Sequence, residues 1–245
     1  MKTEPEIVLN RGTERKSYVK GMFNNIAHRY DFLNHFLSAG IDIFWRKKAV
    51  RKIKVNSDAH VLDLAGGTGD MAFEIVRQKK CSVTIADFAQ QMLVLAGEKV
   101  LAKSLKNRIK LVNGDGEKLP FRNNSFDAVT IAFGIRNMGS MEAALEEMYR
   151  ILKSRGQAVI LEFSLPVNKF VRKMYLFYFL KLLPLTGRFF SKDKEAYSYL
   201  PASVQDFPEI AEFEFLMQDA GFSGIESWKL MNGVAVIYKG VKQAD

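Results

Sequence analysis

Between residues 60 and 240 the apolar residues repeatedly change period, and this alternation limits the chain to very few architectures. Strand-length runs rich in Val, Ile and Leu stand at HVLDLA (60–65), CSVTIAD (81–87), RIKLVNGD (108–115), FDAVTIAFG (126–134) and QAVILEFS (157–164). Helical stretches separate them at MAFEIVRQKK (71–80), QQMLVLAGEKVLAKSL (90–105) and MEAALEEMYRILK (141–153). Strands alternating with helices imply a parallel sheet covered on both faces, and near-continuous apolar runs suit strands buried on both sides. After a helix over about residues 207–219, GFSGIESWKL and GVAVIYKG flank Met231-Asn232-Gly233. An Asn-Gly pair favours a tight turn, so these last two strands should pair antiparallel. The expected fold is a doubly wound α/β domain. Its seven-stranded sheet is mostly parallel and closes with an antiparallel C-terminal hairpin.

Ahead of this core, residues 1–16 read as a loose arm. From Ser17 to about Lys54 the pattern is helical, broken near Asp31–Asn34 and at Ala39–Gly40. The expected organisation is an N-terminal arm and helical cap over 1–54 and a main domain over 55–245, interrupted by an aromatic and basic insertion at 165–200. No N-terminal apolar h-region resembles a signal peptide, and no run approaches the ~18 apolar residues that would span a bilayer. A cytoplasmic protein is the default expectation. The lone cysteine, Cys81, rules out an internal disulfide and offers no metal cluster, so no metal is expected. The net charge of +9 is uneven: residues 1–54 carry +7, residues 168–192 carry +6 and the remainder sums to −4. Basic character confined to two segments points to phosphate-bearing partners, either nucleic acid or lipid headgroups.

The stretch VLDLAGGTGD (Val61–Asp70) ends the first strand in a glycine-rich turn and opens a helix. Gly66, Gly67 and Gly69 allow a sharp turn and close approach by a ligand, while free N–H groups at the helix start favour an anion. A pyrophosphate or the carboxylate of an amino acid would satisfy that end. Acid residues separate the two. A pyrophosphate disfavours nearby carboxylates, whereas Asp63 and Asp70 suit a sulfonium ligand with an ammonium group. Thr68 crowds the same turn. Asp87, ending the second strand about 20 residues beyond the loop, can accept the ribose hydroxyls. Asp115, in GDGEKLPF, lies where it could accept from an adenine amino group, with Gly116 giving backbone access. The cofactor expected from these residues is S-adenosylmethionine.

The order of VLDLAGGTGD, Asp87, GDGEKLPF and SFDAVTIAFGIRNM is similar to that in class I methyltransferases, which have a Rossmann-like fold. YDFLNHFLSAGIDIFWR (30–46), RILKSRGQAVILEFS (150–164), YSYLPASVQDFP (197–208) and AGF (220–222) narrow the resemblance to the C-methyltransferases of ubiquinone and menaquinone biosynthesis. It covers about residues 18–240. Asp42 stands where that family usually has histidine, Ser154-Arg155 replaces Pro-Gly, and Ala132 replaces a common serine. The resemblance implies C-methylation of a prenylated quinol, demethylmenaquinol above all, with an in-line displacement at the sulfonium methyl.

Such a displacement needs positioning and help in ionising a ring hydroxyl. FGIRNM brings Arg136 and Asn137 to the carboxyl edge of the sheet, where Arg136 could stabilise the oxyanion and Asn137 orient the ring. His28, Tyr30 and Asp31, in AHRYD, are candidate bases. Residues 168–190 interleave aromatics with basic side chains, which suits a lid resting on anionic membrane at the inner face. No nucleic acid is expected as partner, and a homodimer is among the expected assemblies. The alternatives are a methyltransferase acting on RNA or on another small molecule, and a cofactor-binding protein without catalysis.

Overall fold

The structure, a computed structural model, describes residues 12–38, 40–177 and 194–244; the side chains of Thr13 and of residues 29–37 and 194–198 lie outside the description. Helix α1 (Thr13–Leu37) and helix α2 (Ile41–Lys52) precede the sheet. Then come β1 (His60–Leu64), α3 (Asp70–Lys79), β2 (Ser82–Asp87), α4 (Gln90–Ala102) and β3 (Ile109–Asn113). The second half runs β4 (Phe126–Ala132), a 3-10 turn at Ile135–Asn137, α5 (Met141–Ile151) and β5 (Leu152–Phe163). Helices α6 (Lys169–Phe177), α7 (Lys194–Gln205) and α8 (Ile210–Asp219) lead to β6 (Ser223–Leu230) and β7 (Ala235–Val241).

The seven strands lie in the order β3-β2-β1-β4-β5-β7-β6. Strands β1 to β5 pair in parallel, and β7 runs antiparallel to both β5 and β6. The Met231-Asn232-Gly233 turn joins the last two strands as expected, with Asn232 and Gly233 at positive φ. From β1 the chain winds outward through β2 and β3, then returns to build β4 and β5 on the other side. The carboxyl ends of β1 and β4 therefore flank a topological switch point, where open α/β sheets receive ligands.

Period-2 alternation along the strands feeds two cores. Val61, Val83, Ile85, Val159 and Ile237 point to the face covered by α2, α3 and α4. Leu62, Ile131, Ile160, Val236 and Tyr238 point to the face covered by α5 and α8. Trp45, Ala49 and Val50 of α2, with Ile53 just after its end, belong to the first of these cores. Free Cys81 is buried there too.

Two expectations for the N-terminus need correction. Helix α1 begins at Thr13, inside the stretch read as a loose arm, and it continues through Asp31–Asn34 without a break. Asp and Asn are weak helix formers, but neither removes a backbone hydrogen bond as proline does. The break comes at Gly40, whose φ of 75° is left-handed and caps α2. Residues 1–11 of the arm lie outside the described residues, as do Tyr178, Phe179, Phe189 and Phe190 of the aromatic and basic insertion.

Candidate active site

The site begins with Asp63, fully buried near the end of β1. Its Oδ1 accepts from the Thr130 hydroxyl of β4 at 2.9 Å, and its Oδ2 has no hydrogen-bond partner. Burial pushes the carboxyl up to about 7, against the downward pull of the Thr130 hydrogen bond and the Arg46 charge. The turn after β1 passes through Ala65, Gly67 and Gly69 at positive φ, and the Gly69 amide donates to the Gly66 carbonyl at 2.9 Å. A Cβ on Gly66 would stand 2.8 Å from Ile85 Cγ2 and 2.9 Å from Asp63 Oδ2. Glycine at this position is what leaves that oxygen open. Thr68 is buried in the same turn.

Asp87 ties the turn to β2. Its Oδ2 accepts from the Gly67 amide at 2.8 Å and its Oδ1 from the Ala89 amide at 2.8 Å. Burial raises this carboxyl to about 6, opposed by the amides of Ala89, Gly67 and Phe88. A carboxylate offers about four lone-pair positions, so acceptor capacity remains for a hydroxyl donor. Asp115 accepts from the Glu117 amide at 3.0 Å and from Lys16 Nζ at 2.7 Å; Lys16 also reaches Glu117 at 2.8 Å. Partial burial pushes the Asp115 carboxyl up, but the Lys16 hydrogen bond and charge outweigh it and hold the group below the usual range. A Cβ on Gly116 would meet Met138 Cε at 2.8 Å.

These residues line two adjoining cavities at the carboxyl edge of the sheet. Asp87, Asp115, Gly116, Asn137 and Lys16 share one. Asp63, Gly66, Gly67, Thr68 and Arg46 share the other, and Ala65 borders both. The first cavity holds two carboxylates near strand ends that could accept from hydroxyl and amino donors, and the second holds a carboxylate oxygen without a hydrogen-bond partner that could accept from an ammonium.

Arg136 and Asn137 lie in the 3-10 turn after β4, next to the first cavity. Arg136 Nη1 donates to Glu162 Oε1 at 2.6 Å and to the Phe133 carbonyl at 2.6 Å, and the guanidinium lies 5.3 Å from the centroid of the Phe163 ring. Glu162 is fully buried, and burial raises its carboxyl pKa against the Arg136 charge. Asn137 Oδ1 accepts from the Tyr199 hydroxyl at 2.9 Å. Arg15 of α1 donates to the Arg136 carbonyl at 2.7 Å and to Asp206 at 3.0 Å.

His28 is not brought to this cluster. It is exposed on α1, 12 residues beyond Lys16 and so about 18 Å further along the helix axis. The side chains of Tyr30 and Asp31 lie outside the described residues. Sequence reasoning gave no role to Lys16, Arg46 or Glu162. Glu162 carried a readable signal, being the only charge in the apolar run AVILEF. Arg46 carried only its place beside Trp45, and Lys16 carried none. Among the described residues, no group of three or more His, Cys, Asp or Glu side chains could hold a metal ion.

A model of the ubiE/COQ5 methyltransferase family matches residues 11–242. A ubiquinone/menaquinone biosynthesis C-methyltransferase of Geotalea uraniireducens is 46% identical over 232 residues, covering 94% of this chain and 98% of the relative. A demethylmenaquinone methyltransferase of Porphyromonas gingivalis is 42% identical over 242 residues, 97% of this chain and 99% of the relative. Among solved structures, an S-adenosylmethionine-dependent methyltransferase of Thermotoga maritima, described as a possible histamine N-methyltransferase, superposes with a TM-score of 0.65. It is 18% identical and covers 92% of this chain and 100% of its own, a likeness of fold.

Proposed function

We propose, from the fact that the chain belongs to the ubiE/COQ5 methyltransferase family, that it methylates a ring carbon of a prenylated quinol, with demethylmenaquinol as the first substrate to test. The chain is an S-adenosylmethionine-dependent methyltransferase. The substrate reading is carried by the near full-length match to relatives named for that chemistry, together with a polar constellation beside the cofactor cavities that could act on a ring hydroxyl.

Bound S-adenosylmethionine supplies a methyl group already activated by its sulfonium. The chain's own residues have to bind, orient and adjust charge. Asp87 takes a ribose hydroxyl through its remaining acceptor capacity, and Asp115 beside Gly116 takes the adenine amino group. Asp63 takes the ammonium with its free oxygen. Gly66, Gly67 and Thr68 shape the turn that admits them. Arg136, fixed by Glu162 and the Phe133 carbonyl, keeps a positive charge at the edge where the quinol oxygen ionises, which raises the nucleophilicity of the neighbouring ring carbon. Asn137, held by Tyr199, orients the ring.

The partner side extends to a lipid surface. On α6 Phe170, Met174 and Phe177 are 73%, 56% and 55% exposed, spaced to share one helix face, with Lys169, Arg172 and Lys173 interleaved. That face suits an anionic membrane in which a prenylated substrate resides. No helix among the described residues is long and apolar enough to cross a membrane.

The quinone profile of cells lacking the protein tests the substrate. Accumulated demethylmenaquinone with menaquinone lost is the expected result, and an unchanged profile would overturn the proposal. Arg136→Ala in a Glu162→Gln background, which removes the lone buried carboxylate, is expected to keep cofactor binding and lose methyl transfer.

A further inference from the structure

Arg46 is a buried cation in the same cavity as buried Asp63, yet the two form no ion pair. Helix α2 is fixed in place by Trp45, Ala49, Val50 and Ile53 in the core. One turn before Arg46, buried Asp42 accepts from Arg46 Nη1 and, at 2.7 Å, from the Ser38 hydroxyl. The guanidinium lies 5.3 Å from the centroid of the Phe133 ring. Nη1 is the one Arg46 nitrogen described as donating to the protein, so most of the planar donor fork remains for a ligand. In the same cavity, Asp63 Oδ2 has no partner, and the Arg46 charge pulls its pKa down.

A fixed cation and a fixed anion that line one small cavity without pairing match the two charges of a zwitterion. We infer that Arg46 binds the α-carboxylate of the cofactor's methionine portion, with Asp42, itself bonded by Ser38, holding the guanidinium and Asp63 taking the α-ammonium. This rests on the reading of the cavities as an S-adenosylmethionine site and adds the residue that recognises the carboxylate. Asp42 gives the position its geometry. An i,i+4 acid one turn away satisfies one edge of the fork and keeps it from swinging onto Asp63.

The test is calorimetric binding to the full chain of S-adenosylmethionine, of its decarboxylated form, which lacks only the carboxylate, and of 5′-methylthioadenosine, which lacks the whole amino-acid head. The wild type should prefer S-adenosylmethionine over the decarboxylated form by about 10- to 100-fold, the range for a charge-assisted pair. Arg46→Gln should erase that preference while leaving 5′-methylthioadenosine within about twofold of the wild type, and Arg46→Lys should restore part of it. Equal loss of all three ligands in Arg46→Gln would make Arg46 a packing residue and overturn the inference. A wild type indifferent to the carboxylate would overturn it without any variant. If the wild type bound none of the three, the cofactor reading itself would fail.

Discussion

Asp63 and Asp87 are carboxyls that burial holds near 7 and near 6 in the ligand-free protein, so each keeps its proton well above the pH at which an exposed aspartate loses it. A cationic head bound to Asp63 requires the ionised form. Affinity for S-adenosylmethionine is therefore expected to rise about tenfold between pH 6 and pH 8, with one proton released on binding at the acid end. Calorimetry in buffers of different ionisation enthalpy measures both quantities. Ligand-free stability has the opposite dependence. Raised carboxyl pKa values mean that the folded chain binds more protons than the unfolded one between about pH 4 and pH 7, so these groups cost stability as pH climbs through that window. At this scale the sequence marks the residues near strand ends that line the two cavities. Asp63, Gly66, Asp87 and Asp115 are marked by an apolar run that stops at an acid or a glycine. Lys16 was not legible, because its partner Asp115 lies 99 positions away and only the folded sheet brings them together. Arg136 was legible as a residue at the sheet edge, while its pairing with Glu162 on a neighbouring strand was not.

Helix α1 is where the sequence reading and the structure differ most. Charged residues at its start looked like a solvated arm, yet Arg15 is buried and reaches two elements, the turn after β4 and the end of α7. Val19 and Met22 pack with Tyr199, and Ala27 packs with Ala89 and Met92. A polar-looking start therefore hid an anchor, because the groups that satisfy Arg15 lie more than a hundred residues downstream. The two neighbouring cations should differ sharply when removed. Arg15→Met strands a carboxylate and a carbonyl and is expected to cost about 1–3 kcal/mol in urea unfolding. Lys16→Met removes half-exposed pairs to Asp115 and Glu117, whose side chains are 46% and 13% exposed, and is expected to cost about 1 kcal/mol or less. Helix α2 was legible as an element because Gly40 sets its start; its contribution of Arg46 to a cavity wall was not.

The whole molecule was legible through periodicity: seven apolar runs, their parallel core and the closing hairpin all follow from period-2 runs, helical spacers and one Asn-Gly turn. Winding outward from β1 and then from β4 leaves one switch point, and both cavities open there. The exposed aromatic and basic face of α6 is the side proposed to meet lipid. Sedimentation with vesicles rich in anionic lipid is expected at low salt and should fall as salt screens the basic residues, with Phe170→Ser/Phe177→Ser reducing it further. Binding absent from anionic vesicles at low salt would remove the membrane from the account. The central claim is methyl transfer to a quinol ring. Its most direct test is incubation of the purified full chain with reduced demethylmenaquinone and S-adenosylmethionine carrying a labelled methyl group. The expected product is menaquinol, one methyl group heavier than the substrate, with the labelled methyl on a ring carbon. Bound cofactor with no label in the quinol fraction would contradict it.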